Sequence, residues 1–248
     1  MKTLTLSILL ISSLICHSQT NIEKTIAIKS GQKLMINLDD PEIKLQTWDK
    51  SEILIKGTIS INHGENDFAF ELQVGGTAQE VIVTSSIKDR ENIPKRVVIK
   101  KDDKEYFFKA HDLNDPEVQK FFEQNGRGYS HMTVGIIKEI QLEIFVPRNT
   151  ETRVLAKYGL IEIKNFAAPL TVESKYGGVD ATLGGGSIGE VIARSRYGEI
   201  LTNLDIKFYQ SGPIDKGNKW TEISAKLGQG PRYSFESTYG NVYLRKAN

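Results

Sequence analysis

Three histidines, His63, His111 and His131, stand in separate polar segments, and a fourth, His17, sits in an apolar leader. None has a histidine or cysteine partner at the spacing of a zinc motif, so no metal centre is expected. The carboxylates Glu162, Glu173, Asp180, Glu199 and Glu222 recur in the C-terminal half at unequal offsets. Acid–base chemistry on a sugar polymer needs carboxylates and a base converging on one face, with an acidic cluster where calcium assists. Strand alternation scatters most of these five outward, and Gly184-Gly185-Gly186 lacks the Lys-Ser/Thr that completes a phosphate loop. No catalytic residue and no cofactor is assigned.

A second set of residues has a regular spacing. Lys157, Lys175, Arg196 and Lys219 each immediately precede an aromatic, namely Tyr158, Tyr176, Tyr197 and Trp220. If the units that carry them stack, the four charges form one outward column that can hold an anionic polymer such as an acidic polysaccharide. The competing account is that Glu173, Glu199 and Glu222 neutralise the column and the basic stems only cover apolar surface. The aromatics, with Tyr239 as a fifth, form a column of their own. Alternation sets Val172, Ser174 and Tyr176 on one strand face, so an inward structural ladder is expected. An exposed column would instead offer a sugar-stacking platform.

These residues are positioned by a repeat. Its clear copies are Ala156-Lys157-Tyr158-Gly159, Ser174-Lys175-Tyr176-Gly177, Ser195-Arg196-Tyr197-Gly198 and Ser237-Thr238-Tyr239-Gly240. With Trp220 standing in for a tyrosine, the aromatic spacings are 18, 21, 23 and 19 residues. Two residues before each tyrosine the side chain is small. Three after it stands an aliphatic: Ile161, Val179, Ile200 and Val242, with Ile223 in the degenerate copy. Glycine after the tyrosine marks a point of positive φ or close backbone approach. A period near 20 residues with short strands predicts an all-β fold whose C-terminal part is a parallel β-helix, or solenoid, with units stacked about 4.8 Å apart in chain order. An antiparallel sandwich with shared Tyr-Gly turns is the alternative.

The rest of the chain frames this repeat. The 248 residues carry 32 basic and 31 acidic side chains, a balance without the basic excess of a nucleic-acid binder. Lys2 and the apolar run Leu4–Cys16 read as a signal peptide over 1–18, cut after Ser18. A lipoprotein cut before Cys16 is the rival, with Ile15 in place of the usual small residue. Either way the chain is exported, to the periplasm, the outer surface or the medium, and no other stretch has the length of a membrane span. Residues 19–99 form an N-terminal β region, with alternating runs at Ile26–Ile28, Leu34–Leu38, Ile43–Leu45, Ile53–Ile55, Phe68–Val74, Val81–Val83 and Val97–Ile99. Residues 100–135 are an insertion with one short helix. Asn114 or Asp115 caps it, Pro116 starts it, Val118, Phe121 and Phe122 share its apolar face, and Asn125-Gly126 stops it. The repeat region runs over 136–248, and the N-terminal strands are expected to cap one end of it.

The exported front end, the stretch Pro41–Ile55 with its Trp48-Asp49 turn, Glu139–Pro147 and the Tyr-Gly units together resemble the bacterial adhesin-like β-strand-repeat family of exported proteins, over most of the chain outside the insertion. The resemblance implies a β-helix-like fold, an envelope or surface location and a Bacteroidetes-like source. The family brings no catalytic residues to carry over. The expected function is a non-enzymatic adhesin-like scaffold or binding module whose partner is an envelope protein or polysaccharide. A carbohydrate-active enzyme on a β-helix and an envelope signalling accessory protein are the alternatives.

Overall fold

The computed structural model of the chain describes residues 19–184, 188–211 and 220–247. The leader 1–18, the Gly185-Gly186 step and Lys219 lie outside the described residues.

Alternating apolar residues produce a chain of short strands. The N-terminal region gives β1 (Thr20–Ala27), β2 (Lys33–Leu38), β3 (Glu42–Trp48), β4 (Glu52–Ile61), β5 (Phe70–Gly76) and β6 (Glu80–Ile87). The insertion gives β7 (Arg96–Lys101), β8 (Lys104–Phe108), the helix α1 (Pro116–Asn125) and β9 (His131–Gly135). Then follow β10 (Lys138–Pro147), β11 (Thr152–Ala156), β12 (Ile161–Lys164), β13 (Leu170–Ser174), β14 (Val179–Leu183), β15 (Glu190–Ser195) and β16 (Ile200–Thr202). The last four are β17 (Tyr209–Ser211), β18 (Thr221–Lys226), β19 (Arg232–Ser237) and β20 (Val242–Lys246). Phe68 departs from its expected strand. It lies in a short 3-10 turn, Asp67–Ala69, and is exposed.

The fold is all-β in mixed sheets. One sheet runs β1-β4-β10-β3-β12-β14-β20-β16 and the other β17-β18-β15-β19-β13-β11-β2-β6-β5. The strands from β10 to β16 in the first, and from β15 to β6 in the second, pair in parallel, while the ends pair antiparallel. The inner faces share one core that includes Leu34, Ile36, Ile43, Leu45, Val154, Ile161, Val172, Val179, Phe235 and Val242, each at most 1% exposed. Burying each such side chain contributes about 1.5–3 kcal/mol.

Among the described residues, five two-strand rungs bridge the sheets: β2–β3, β11–β12, β13–β14, β19–β20 and β15–β16. Their order in space is not their order in sequence. The last rung, β19–β20, lies between β13–β14 and β15–β16, in parallel register with both. Stacking in simple chain order is therefore corrected. The five-unit repeat is corrected as well. β18, the strand after Trp220, runs antiparallel to β15 and covers that end of the sheet. Its offsets match a repeat unit, but its direction is reversed. The C-terminal unit thus presents no open edge, because β19–β20 is inside the stack.

The insertion has its own three-stranded sheet, β8-β7-β9, so β7 belongs with it rather than with the N-terminal strands. Asp115 caps α1 by accepting a hydrogen bond from the Glu117 amide at 3.0 Å, and Gly126 ends the helix at a φ of 72°. Val118, Phe121 and Phe122 pack with Val97, Ile99 and Ala110 in a separate small core.

Candidate functional site

The rungs turn from one sheet to the other at Ala156–Gly159, Ser174–Gly177, Ser237–Gly240 and Ser195–Gly198. Each strand stops at its alanine or serine, and the next two residues swing outward around the corner. Ser237 shows how the corner is held. Its hydroxyl donates to the Gly177 carbonyl at 2.9 Å and accepts from the Gly240 amide at 2.9 Å. Ser195 repeats both bonds one rung further, with the Gly240 carbonyl and the Gly198 amide, each at 3.1 Å.

The glycines serve close approach rather than positive φ. A Cβ on Gly177 would collide with the Gly159 carbonyl oxygen and lie 2.7 Å from its carbonyl carbon. One on Gly240 would meet Gly177 in the same way, and one on Gly198 would meet Gly240. In the first rung Asp40 and Pro41 hold the places of Tyr and Gly, and Asp40 pairs with Lys138 and Arg90.

The tyrosines leave the core at this corner. Tyr158, Tyr176, Tyr239 and Tyr197 are 46–53% exposed, so the inward aromatic ladder is corrected. Alternation holds only while the chain is a strand, and the strand has ended two residues earlier. The ladder itself exists on the outside. Ring centroids are 5.3 Å apart from Tyr158 to Tyr176, 5.1 Å from Tyr176 to Tyr239 and 4.9 Å from Tyr239 to Tyr197, with planes within 13° of parallel. The rings are stacked on one another, yet each stays about half exposed. Trp220 is not a member. It lies beside β15 with the Arg194 guanidinium 5.4 Å from its ring.

The basic residues of the column rest on these rings. Lys157 lies 5.2 Å from the Tyr158 centroid, Lys175 5.1 Å from Tyr176 and Arg196 5.2 Å from Tyr197. A second cation, Lys138, approaches Tyr158 at 5.7 Å. Such contacts are worth about 0.5–1 kcal/mol at exposed sites. Thr238 stands between Lys175 and Arg196 because β19–β20 is interposed, so the column is a basic pair, a neutral step and a third cation. None of Lys157, Lys175 and Arg196 has a carboxylate of a described residue within ion-pairing distance. Of the carboxylates expected to neutralise them, Glu173 pairs with Arg153 at 2.7 Å and Glu222 with Arg194 at 3.0 Å, while Glu199 forms no ion pair with a described residue.

Behind the column lies a shallow groove of about 400 Å³, with Asp39, Lys157 and Lys175 on one side and Glu173 and Glu236 on the other. Glu173 and Glu236 are register neighbours. Burial raises the Glu236 carboxyl above its ordinary value, Arg194 opposes the rise and Glu173 adds to it. Among the described residues, no His/Cys/Asp/Glu group has the geometry to hold a metal ion. A second groove, about 460 Å³ on the other sheet, is crossed by the register row Glu162, Lys44, Glu143, Lys56 and Glu23. Its signs alternate across five strands, three carboxylates with two lysines between them, so each lysine faces a carboxylate on both sides and no cation of the row is left for an anionic ligand.

One pattern is passed over by the sequence reading. Gly185-Gly186-Ser187-Ile188-Gly189 spells Gly-x-Ser-x-Gly, whose middle lies outside the described residues. A nucleophile elbow stands between a strand and a helix. This segment connects β14 to β15, two strands.

No protein-family model matches the chain, and no curated protein does. Among solved structures it is similar to a "putative cell adhesion protein" from Clostridium sporogenes, 12% identical, with a TM-score of 0.48 over 93% of this chain and 100% of that one. It is also similar to a "putative adhesin" from Bacteroides fragilis, 12% identical, with a TM-score of 0.22 over 93% of this chain and 99% of that one. Both likenesses are too distant to carry a function across.

Proposed function

We infer that the chain is a non-enzymatic, exported, adhesin-like β-solenoid that acts as a binding module of the cell envelope, with the tyrosine corner as its contact surface. One observation carries this reading. Lys157, Lys175 and Arg196 are laid on the stacked rings of Tyr158, Tyr176 and Tyr197 without acidic partners among the described residues. The rings limit where the cations can go, so little side-chain freedom is lost when an anionic group meets them. The tyrosine hydroxyls beside them add hydrogen-bonding groups at the rung spacing. The ligand class is a linear anionic polymer, an acidic polysaccharide of the envelope or of a host surface.

The test is retention on an immobilised acidic polysaccharide across a salt gradient. Replacing Lys157, Lys175 and Arg196 together by glutamine is expected to move elution to clearly lower salt while the protein stays folded, with a melting temperature lowered by roughly 3–12 °C for the three lost ring contacts. Equal elution of the two proteins sinks the reading. The enzymatic alternative rests on one observation, the neighbouring carboxylates Glu173 and Glu236 with Glu236 raised. It requires Glu236→Gln to abolish a measurable depolymerisation of such a polysaccharide.

A further inference from the structure

We propose that the slot between rungs β13–β14 and β15–β16 also accepts the β19–β20 unit of a second copy of this chain, giving strand-exchanged assemblies. The slot is defined by register on both sides. Tyr233 to Ser237 pair with Leu170 to Ser174 and with Val191 to Ser195, and Val242 pairs with Val179 and Ile200. Everything the slot recognises is carried on β19–β20 and its corner: the buried Tyr233, Phe235, Val242 and Leu244, the Ser237 hydroxyl, and Gly240. A second copy supplies the same groups, so the closed and exchanged forms share these contacts. They differ in the link that leads to β19 and in the entropy of association.

That link is the constrained part of the closed form. Residues 227–231 join β18 to β19, which flank β15, so the link must step across the start of β15. It does so at Gly189, whose carbonyl accepts from the Leu227 amide at 2.8 Å and whose amide donates to the Pro231 carbonyl at 3.0 Å. A Cβ on Gly189 would collide with the Gly230 carbonyl and lie 2.8 Å from its carbon. In an exchanged pair the link leads to the other molecule and need not cross its own β15.

Folding order leaves the slot contested. β15–β16 carries the same Ser-x-Tyr-Gly corner, and Ser195 is 21 residues from Ser174, whereas Ser237 is 63 residues from it. Local pairings form before distant ones. If β15–β16 first stacks on β13–β14, the Gly177 carbonyl can accept from Ser195 as it now does from Ser237. The β19–β20 unit then waits for the rungs to part, and a neighbouring chain competes for the place it leaves. The outcome depends on concentration, because a short link holds its own unit at an effective concentration of the order of mM.

The test refolds the full chain from denaturant at about 1 µM and about 1 mM and measures mass by light scattering, since the first lies far below that effective concentration and the second reaches it. Monomer is expected at the low concentration and dimers or larger species at the high one. Two differently tagged chains should copurify only when refolded together. A labelled peptide of residues 232–247, added in excess during refolding, should be retained about one per chain. The same peptide with Gly240→Val should not be, because the side chain meets Gly177. In the full chain, Gly189→Val is expected to raise the dimer fraction at a given concentration. Monomer at every concentration, with neither peptide retained, overturns the proposal. If Gly189→Val does not fold, the wild-type refolding series and the peptide pair decide alone.

Discussion

Gly177→Ala perturbs the centre of the stack with a single methyl group. The residue's φ is not positive, so the backbone conformation itself tolerates alanine. The space does not. The new Cβ would collide with the Gly159 carbonyl oxygen and lie 2.7 Å from its carbon and 2.8 Å from the Tyr158 oxygen, where ordinary contact begins near 3.4 Å. Both obstacles are backbone, so the two rungs must part by roughly 1 Å to reach ordinary packing distance. Three hydrogen bonds are stretched by that movement. They are Lys175 N–H to the Ala156 carbonyl at 3.0 Å, Tyr176 N–H to the Lys157 carbonyl at 2.8 Å and Ile161 N–H to the Gly178 carbonyl at 3.1 Å. At about 1 kcal/mol net each, the loss is about 3 kcal/mol, within the range for overpacking. For a chain of this size that lowers the melting temperature by about 6–12 °C. Gly75→Ala is the control. Its Cβ meets nothing within 4 Å and its φ is not positive, so stability should change by less than about 0.5 kcal/mol. Gly178→Ala should fall between them, because its Cβ would sit 3.0 Å from the Asn241 carbonyl oxygen. Thermal melts followed by circular dichroism rank the three. If Gly177→Ala melts within about 2 °C of the wild type, the close-approach account of the Tyr-Gly step is wrong.

Asn62 is fully buried, holds a φ of 52° and ties the two stems of the insertion, donating to the Pro94 carbonyl at 2.9 Å and accepting from the Ile137 amide at 3.0 Å. Asn62→Ala should cost about 3 kcal/mol and speed hydrogen exchange at Ile137. At Glu65 burial pushes the carboxyl up, but hydrogen bonds from Lys109 and Arg96 together outweigh it and hold it below its ordinary 4.5. A depressed carboxylate stabilises the fold above its unfolded value and loses that contribution as pH falls through the folded one. The wild type should therefore exceed Glu65→Gln by about 1–2 kcal/mol at neutral pH, with the difference fading only on the acid side of 4.5. A difference that persists unchanged at pH 2 would refute the ion-pair account. Phe121 packs on Tyr106 and Phe108 at 4.7 and 5.4 Å between centroids, inside the insertion's own small core. Phe121→Ala should cost that core about 3–4 kcal/mol, and limited proteolysis should then cut between β8 and β9 while the two large sheets persist.

The strands were legible because one inward face forces period-two alternation, as Leu34, Ile36 and Leu38 show with exposures of 1% or less. The helix was legible because its signals are local: Asp115 before Pro116, and Gly126 after Asn125. The glycine spacing revealed the rungs because a Cβ has no room where backbones meet. The direction of the tyrosines was not legible. Alternation predicts it from Val172 and Ser174, but Lys175 begins a corner, and the side of a corner on which a residue falls depends on how the chain turns between sheets. The site therefore moved from the core to the surface while its residues stayed the same. Lys157, Lys175 and Arg196 were found by spacing alone, because each is bound to its ring by being the preceding residue.

Rung order was the least legible feature, and the reason is chemical. Ser174, Ser195 and Ser237, with the Tyr-Gly steps that follow, are interchangeable as neighbours: each pairs in parallel, offers a serine hydroxyl and needs a glycine opposite a carbonyl. Nothing local in such a repeat ranks one neighbour above another. What places β19–β20 in the middle lies outside the repeat. β18 runs antiparallel to β15 and occupies the edge where the last rung would otherwise add, and the short link across Gly189 reaches only to the strand on the far side of β15. The same degeneracy that hides rung order from the sequence makes the slot indifferent to which molecule fills it. A substitution that distinguishes the rungs separates the two consequences. Ser195→Ala removes the hydroxyl that bonds Gly240, while Ser237 keeps its own bond to Gly177. The variant should lose about 1 kcal/mol of stability and still place β19–β20 next to β13. It should also weaken the competing direct pairing of β15 with β13, and so lower the assembled fraction after concentrated refolding. A rise in that fraction would show that β15 is not the competitor.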